Sequence, residues 1–299
     1  MIINKIETVA IIPCYKVKSK IKYVIKKSLN LFDLIICVDD NCPENSGREI
    51  LKKFNNKKII VLIKKKNSGV GGAFKTGLNY CKKINPKIIV KIDGDNQIAP
   101  EDAKTITKRL LNSKNDYAVG SRFKLNINYK EMPLVRWFGN KIISYFSKIS
   151  SGLYHIDDFL NGLIAIKYKS FKKINLIDIK NDFRFETSLL FNISIKNLKV
   201  TQMPMKVRYF KSNSSNFNIK NEYLKFLKYN FYNLIRRIGI DYIKNPNPGT
   251  ILLLFSFITF FIILKNFLLH YESNFIFFYL FIFFITNFFI IDISARRGK

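Results

Sequence analysis

The sequence predicts an α/β domain with a mostly parallel sheet, followed by a basic helix and a pair of long apolar helices. Short continuous apolar runs recur in the first hundred or so residues and are separated by segments of helical spacing, a pattern typical of buried parallel strands. Charge is dense up to about residue 245, whereas Phe, Ile and Leu dominate the rest. The predicted strands are Val9–Ile12, Leu34–Val38, Ile59–Ile63 and Ile88–Ile92.

The shift in composition divides the 299 residues into four parts. The first part is long enough to bury a sizeable core as a single α/β domain. The predicted parts are the α/β domain at 1–215, a basic amphipathic region at 216–248, an apolar hairpin at 249–293 and a basic tail at 294–299.

The formal net charge of +30 is carried mainly by lysines that are spread over almost every segment. No Arg-rich arm, zinc-finger spacing or RNA-binding aromatic signature accompanies them, so we expect no nucleic-acid partner. Beside a membrane, the same charge favours anionic headgroups and phosphate-bearing substrates. The four cysteines have no CxxC spacing, which favours a reduced, cytoplasmic setting.

Residues 221–243 predict a helix that mixes aromatic and aliphatic residues with Lys and Arg. Tyr223, Phe226, Leu227 and Phe231 recur at helical spacing. A basic helix of this kind beside a membrane span is typical of one that lies in the bilayer interface. An ordinary core-facing helix has the same periodicity, so both interpretations stay open.

Two apolar segments near the end of the chain, 250–269 and 275–291, are each long enough to cross a bilayer. Basic residues precede this hairpin and follow it at 296–299, whereas the connecting loop carries little charge. The positive-inside rule then predicts that both ends face the cytoplasm. We expect a multi-pass protein of the inner (cytoplasmic) membrane, with the α/β domain in the cytoplasm. The Phe-rich hairpin could also mediate homo-oligomer assembly.

The segment KIDGDNQIAPED at 91–102 is the most informative motif. Asp93 and Asp95 follow a predicted buried strand, and Gln97 comes two residues later. Positions two apart in an extended or turning backbone point to one side. Two carboxylates and an amide oxygen on one side suit Mg²⁺ or Mn²⁺, which could neutralise a diphosphate. Taken alone, the motif fits an acidic turn equally well.

Other polar clusters follow the remaining predicted strands. Asp39 and Asp40 come after the second strand, where they could accept hydrogen bonds from a base or ribose or form an Asx turn. The Gly-rich segment NSGVGGAFKTG at 67–77 enters a helix, where bare amides could meet phosphate or ribose. Ligands of open parallel sheets bind beyond the carboxyl ends of the strands, so these clusters should converge.

These motifs in their order make the chain resemble the family 2 glycosyltransferases, over about residues 8–215. Within that family it is similar to the dolichyl- and polyprenyl-phosphate sugar synthases, whose bacterial members also carry a basic helix and a two-span anchor. The matching motifs are IIPCYK, VDDNCPENSG, NSGVGGAFKTG, KIDGDNQIAPED, GSRF, MPLVRWFGNK, DDFLNG and FRFETSLL.

The resemblance implies a Rossmann-like glycosyltransferase-A fold, a nucleoside-diphosphate sugar donor, a divalent metal and an inverting transfer to polyprenyl phosphate. The metal would be Mg²⁺ or Mn²⁺, held by Asp93, Asp95 and Gln97. The expected nucleotide-sugar contacts are Pro13, Tyr15, Asp39, Asp40, Asn67, Gly71 and Asp93. The residues expected at the acceptor phosphate are Arg122, Arg136 and Lys141. The expected catalytic residues are Asp95, Arg122, Asp158 and Glu186.

The chain departs from the family pattern at three places. Lys16–Val17 replaces the usual Asn-Glu, which affects recognition of the base, and Asn41 replaces a common Gly. The segment RYFKSNSS at 208–215 lacks the acidic residues of many relatives. The Q-x-x-R-W signature of processive synthases is missing before Trp137.

Two alternatives stay open: a transferase for another glycolipid or growing glycan, and an inactive membrane-bound sugar-nucleotide binder or scaffold.

Overall fold

The structure is a computed structural model that describes residues 6–124, 132–208, 219–269 and 275–296. Seven strands and ten α-helices are described in these ranges, with a 3-10 turn at Leu176–Asp178 and a π-helical turn at Gly239–Ile243. The strands are β1 (Thr8–Cys14), β2 (Leu34–Asp39), β3 (Ile59–Ile63), β4 (Ile88–Lys91), β5 (Tyr117–Ser121), β6 (Ile164–Lys167) and β7 (Val200–Pro204). The helices are α1 (Lys18–Ser28), α2 (Ser46–Lys53), α3 (Gly69–Ile84), α4 (Pro100–Leu111), α5 (Leu134–Ser151), α6 (Tyr168–Phe171), α7 (Phe185–Ile195), α8 (Ile219–Ile238), α9 (Pro248–Leu268) and α10 (Phe275–Arg296).

The strands form one seven-stranded sheet in the order β3-β2-β1-β4-β6-β5-β7. Strands β1 to β4 are mutually parallel, and β5 pairs in parallel with β7. This confirms the predicted mostly parallel sheet and its first four strands. The prediction did not include β6, which runs antiparallel to both β4 and β5.

Helices cover both faces of the sheet, as expected for parallel strands that are buried on both sides. The strand residues alternate between two apolar cores. One core joins the sheet to α3 and α7 through residues such as Phe74 and Leu189. The other joins it to α1, α2 and α4 through residues such as Ile25 and Ile106. The carboxyl ends of β1, β2 and β4 are therefore left at one edge between the two helical layers.

Helix α8 packs against α5 with only part of its predicted apolar set. Phe226 is fully buried, whereas Phe231 is 66% exposed. These two members of the predicted apolar set therefore lie on different sides of the helix. The α5–α8 contact is partly polar, since Asn230 Oδ1 accepts hydrogen bonds from the hydroxyls of Ser147 and Ser150 at 3.2 and 2.8 Å.

Helices α9 and α10 pack against each other as two long apolar helices. Each has a mean hydropathy of 2.3 over its most apolar window, and few residues of either window are buried. Phe255 stacks on Phe284 with ring centroids 5.1 Å apart. Asn247 caps α9 together with Thr250, in a capping box at the start of the helix. The connecting loop at 270–274, the tail beyond Arg296 and most of RYFKSNSS lie outside the described residues.

The far end of α10 returns to the α/β domain. Asp292 accepts hydrogen bonds from Arg237 Nη1 at 2.8 Å and from the Tyr154 and Tyr242 hydroxyls. Arg237 also donates to the carbonyls of Ile149 and Ser150 at the end of α5. Both ends of the apolar pair therefore lie on the side of the α/β domain.

Candidate active site

Asp39 and Asp40 lie at the carboxyl end of β2, and both are buried. Asp39 accepts the backbone N–H groups of Cys42 at 2.7 Å and Gly47 at 2.5 Å, which closes the loop into α2. Asp40 accepts the N–H of Gly69 at 2.7 Å and the Lys64 ammonium at 2.7 Å. Both carboxylates thus tie the loops of this edge together, Asp39 through the loop into α2 and Asp40 through the loop into α3.

The Gly-rich turn is held by the protein itself. Asn67 Oδ1 accepts the N–H of Gly69, while the N–H groups of Gly71 and Gly72 donate to the Asn181 carbonyl at 2.8 and 3.3 Å. A Cβ at Gly71 would collide with the Lys180 carbonyl oxygen. The expectation of bare amides is therefore wrong at Gly71, because its N–H already donates a hydrogen bond to the carbonyl of Asn181, more than a hundred residues away.

Asp93 and Asp95 lie in the turn between β4 and α4. Asp95 Oδ1 accepts the backbone N–H of Gln97 at 3.0 Å, and the Asp93 side chain is 33% exposed. Burial, and next the charge of Asp93, raise the pKa of Asp95. A carboxylate whose ionisation is disfavoured by burial and by a neighbouring carboxylate is a fit for a divalent cation, which would favour its charged form.

The pair suits an open metal site better than a closed one. No group of three or more His, Cys, Asp or Glu side chains that could hold a metal occurs within the described ranges. Mg²⁺ in particular is commonly held by one or two carboxylates together with substrate phosphates. Asp93 and Asp95 therefore match the protein share of a metal-diphosphate site.

Arg122 and Asp158 form a buried, two-pronged ion pair. Nε of Arg122 donates to Asp158 Oδ2 at 2.8 Å, and Nη2 donates to Oδ1 at 2.7 Å. Asn161 adds a hydrogen bond to Oδ2 at 3.0 Å. Burial alone would raise the pKa of Asp158, but the charge and hydrogen bonds of Arg122 outweigh it and lower the pKa. The pair holds the Arg122 guanidinium in one orientation.

A cavity of about 530 Å³ connects the acidic edge with helices α5 and α8. Asp93, Arg122 and Glu186 all line it, although they lie about 30 and 60 residues apart in the chain. Arg136, in the first turn of α5, also lines the cavity and is exposed. The full lining is Val70, Lys91, Asp93, Arg122, Pro133, Val135, Arg136, Asn140, Leu160, Gly162, Phe183, Glu186, Tyr223 and Phe226.

Several expected residues lie outside this lining. The Lys141 ammonium lies 4.1 Å from the centroid of the Phe123 ring. Tyr15, directly after β1, is 39% exposed, and Pro13 within β1 is partly buried. Asp95 and Gln97 also lie outside the lining, on the α4 side of Asp93. Of the residues expected at the acceptor phosphate, Arg122 and Arg136 line the cavity and Lys141 does not. Of the other expected catalytic residues, only Glu186 lines it.

Lys91 is a cavity residue that the sequence reasoning missed. It was included in an apolar strand, yet its ammonium donates to Asp93 Oδ1 at 2.6 Å and to Glu186 Oε1 at 3.3 Å. Burial, and next the charge of Asp93, raise the pKa of Glu186, whereas Lys91 acts in the opposite direction. The available signal was a lysine inside a run that must be buried, since such a charge requires a partner.

Comparisons with known proteins show the family of the chain. Residues 9–175 match the model of Glycosyl transferase family 2. The chain is 34% identical over 210 residues to an uncharacterised protein of Methanocaldococcus jannaschii, covering 69% of this chain and 84% of that protein. It is 32% identical over 216 residues to the UDP-N-acetylglucosamine–dolichyl-phosphate N-acetylglucosaminyltransferase of Methanococcus voltae, covering 67% of this chain and 84% of that enzyme.

Solved structures show the fold. Glucosyl-3-phosphoglycerate synthase from Mycobacterium tuberculosis, in complex with Mn²⁺, UDP and its product, aligns with a TM-score of 0.59 at 15% identity over 82% of both chains. Mannosyl-3-phosphoglycerate synthase from Rubrobacter xylanophilus aligns with a TM-score of 0.61 at 12% identity, over 78% of this chain and 75% of that one. The fold is the predicted glycosyltransferase-A fold. Together with the sequence matches, these findings show that the chain is a glycosyltransferase and belongs to glycosyl transferase family 2.

Proposed function

We propose that this glycosyltransferase moves one sugar from a nucleoside-diphosphate sugar to a polyprenyl phosphate at the cytoplasmic face of the membrane. The observation that carries the proposal is the cavity, whose lining includes both Asp93 of the acidic turn and Arg136 of a helix with an exposed apolar face. The acidic turn, with a divalent metal, suits a donor diphosphate, and Arg136 suits a lipid phosphate. The named activity of the Methanococcus voltae relative supports UDP-N-acetylglucosamine as the first donor to test.

The surface around the cavity entrance supports a lipid acceptor. Helix α5 buries its small residues, such as Ser144 and Ser147, and leaves most of its large apolar residues exposed, with Ile143 as a buried exception. A water-soluble helix has the opposite distribution, so we propose that α5 and the exposed face of α8 lie in the bilayer interface. The exposed apolar residues are Leu134, Val135, Phe138, Ile142, Tyr145 and Phe146 on α5, and Leu224, Phe231, Tyr232 and Ile235 on α8.

The hairpin supports the membrane orientation. Helices α9 and α10 are long and apolar enough to span, and α10 returns to the α/β domain through Asp292 and Arg296. We propose two spans, with both ends and the catalytic domain on the cytoplasmic side. The basic residues that flank the hairpin favour this side.

The transfer needs no strong general base. A lipid phosphate is already an anion at neutral pH, so one of its oxygens can attack the anomeric carbon directly. The bond from that carbon to the nucleoside diphosphate then breaks, and the configuration at the carbon inverts. We propose that Arg136 binds the acceptor phosphate, while Asp158 orients Arg122 at the cavity wall. Asp93 and Asp95 would hold the divalent metal, which would neutralise charge on the departing diphosphate.

The test is a transfer assay with purified protein in detergent or liposomes. Radiolabelled UDP-N-acetylglucosamine and other nucleotide sugars are incubated with polyprenyl phosphate and Mn²⁺ or Mg²⁺. We expect label in a lipid-phosphate product, abolished by chelator and absent when unphosphorylated polyprenol replaces the acceptor. Label that enters another glycolipid but never a polyprenyl phosphate, with any donor, would contradict the proposal in favour of a different acceptor.

A further inference from the structure

A buried ammonium lies on the floor of the cavity with no role in the scheme above. Lys91 ends β4, and its side chain is 1% exposed. Its Nζ donates to Asp93 Oδ1 at 2.6 Å, to the Gly162 carbonyl at 3.2 Å and to Glu186 Oε1 at 3.3 Å. An ammonium has three donors, so these partners use all of them.

The position of Lys91 follows from the strand. Alternate residues of a strand face the same side, so Ile89 and Lys91 point toward the layer that holds α7. Asp93 lies just beyond the strand and contacts the Lys91 ammonium. Glu186 lies in the first turn of α7 and faces the end of β4. Asp93 and Glu186 thus come from separate elements, and Lys91 bridges them across the cavity floor.

Gly162 limits the room around this bridge. A Cβ at Gly162 would collide with Asp93 Oδ2 and would lie 3.1 Å from Lys91 Nζ. The Asp93 carboxylate is therefore confined by the ammonium at one oxygen and by the Gly162 backbone at the other. Such confinement leaves the carboxylate little freedom to rotate.

We propose that Lys91 is a positioning residue for sugar transfer, which fixes Asp93 and Glu186 relative to each other and offsets part of the acidic charge that an anionic acceptor meets. The inference rests on the proposed function, because it assumes a phosphate-bearing acceptor in this cavity. Without the ammonium, the carboxylates of Asp93 and Glu186 would face the incoming phosphate without a counter-ion. Like charges that are close together repel strongly in a partly desolvated site.

The experiment compares Lys91→Met with Lys91→Arg and with the control Lys148→Met. Methionine keeps the length of the side chain without its charge, whereas arginine keeps the charge. Lys148 also pairs with an aspartate, Asp157 at 2.8 Å, but the pair is partly exposed and does not line the cavity. Transfer kinetics, melting temperature and Mn²⁺ binding in the absence of nucleotide, followed by electron paramagnetic resonance, are measured for each variant.

We expect Lys91→Met to lower kcat/KM for the acceptor about a hundredfold, with a higher acceptor KM, because a misplaced group near the chemistry can cost that much. Lys91→Arg should recover part of the loss, and Lys148→Met should match the wild type. Mn²⁺ should bind to Lys91→Met more tightly, on the order of tenfold, because the ammonium no longer competes for Asp93.

Two results would overturn the proposal. One is a kcat/KM of Lys91→Met within threefold of the wild type, roughly the reach of an unrelated substitution. The other is Mn²⁺ binding that weakens in step with the melting temperature, which indicates a purely structural lysine. If Lys91→Met does not fold, Gly162→Ala takes its place: it displaces Asp93 while keeping the ammonium, and an unchanged kcat would refute the positioning role.

Different measurements test the positioning role of Lys91 and the transfer to polyprenyl phosphate, so either proposal can fail without the other. Mn²⁺ binding needs no acceptor, so it tests Lys91 even if the wild type transfers nothing to polyprenyl phosphate. That failure would remove the proposed function, and the kinetic comparison would then use the acceptor that does react.

Discussion

Replacing Asp292 with alanine should loosen the attachment of the hairpin to the catalytic domain. Asp292 is 1% exposed and pairs with Arg237, which is fully buried, at 2.8 Å. The hydroxyls of Tyr154 and Tyr242 also donate to its carboxylate. Alanine would leave the guanidinium buried without its main counter-ion and both hydroxyls without their acceptor.

The expected cost is about 3 kcal/mol, the lower end of the 3–5 kcal/mol typical of a broken buried ion pair. The lower end applies because Arg237 keeps Asp241 at 3.6 Å and the carbonyls of Ile149 and Ser150. In a domain of this size each kcal/mol shifts the melting temperature by roughly 2–4 °C, so we expect a decrease of about 6–12 °C.

The assay is thermal unfolding of the full chain in detergent, with Asp178→Ala as the control. Asp178 pairs with Arg236, the neighbour of Arg237, but at 3.8 Å and with both side chains about a third exposed. Such a pair contributes about 0–1 kcal/mol, so the control should melt within a few degrees of the wild type. If Asp292→Ala melts like Asp178→Ala, the reasoning about the buried pair is wrong. The double variant Arg237→Met/Asp292→Leu should recover stability, because it leaves no unpaired charge.

Three further predictions concern the site. Asp95→Ala should lower turnover by roughly two to three orders of magnitude, the effect of losing one strong electrostatic contact to the transition state. The melting temperature should stay unchanged. Unchanged turnover would show that Asp95 has no part in the mechanism. Asp158→Asn should lower the melting temperature at pH 7, because the lowered pKa of Asp158 stabilises the fold above its ordinary value of 3.8. The difference from the wild type should shrink as the pH falls below 3.8 and Asp158 is protonated in the folded state, and a constant difference would contradict the pairing with Arg122. Arg136→Ala should raise the KM for the acceptor about tenfold or more, because one charged contact to the phosphate is lost. The control Arg109→Ala, at an exposed position of α4, should leave this KM unchanged. Equal effects of the two variants would contradict a specific contact between Arg136 and the acceptor.

Much of the fold could be predicted because its signals are local. The first four strands are short apolar runs, and the hairpin is a compositional block, so each is visible within a few residues of sequence. Strand β6 is different, because its four residues carry no distinctive pattern and its antiparallel direction depends on the strands beside it. Helix α5 was also missed, since it buries serines and exposes large apolar residues, the reverse of the usual signal.

The features of the site also fall into those that local sequence predicts and those that depend on distant contacts. The acidic turn at Asp93 and Asp95 follows a recognisable strand, and the resemblance placed Arg122, Asp158 and Glu186 in relation to it. The sequence could not show which polar groups of the site already have a hydrogen-bond or ion-pair partner within the protein. The amides of the Gly-rich turn are occupied by Asn181, and Lys91 bridges two carboxylates, Asp93 and Glu186, that are 93 positions apart in the chain. Both facts depend on contacts between distant segments, which local spacing does not encode.

Helix α5 connects these observations. Its first turn carries Arg136 into the cavity, and its last carbonyls are bound by Arg237, which also holds Asp292 of the hairpin. The helix has 18 residues, so it is about 27 Å long at 1.5 Å per residue. If its exposed apolar face lies in the bilayer interface, the anchor end fixes both the depth of the helix and the direction in which Arg136 points. A weaker Arg237–Asp292 pair should therefore raise the KM for a lipid acceptor more than the KM for the soluble donor, because only the lipid has to reach the cavity from the bilayer.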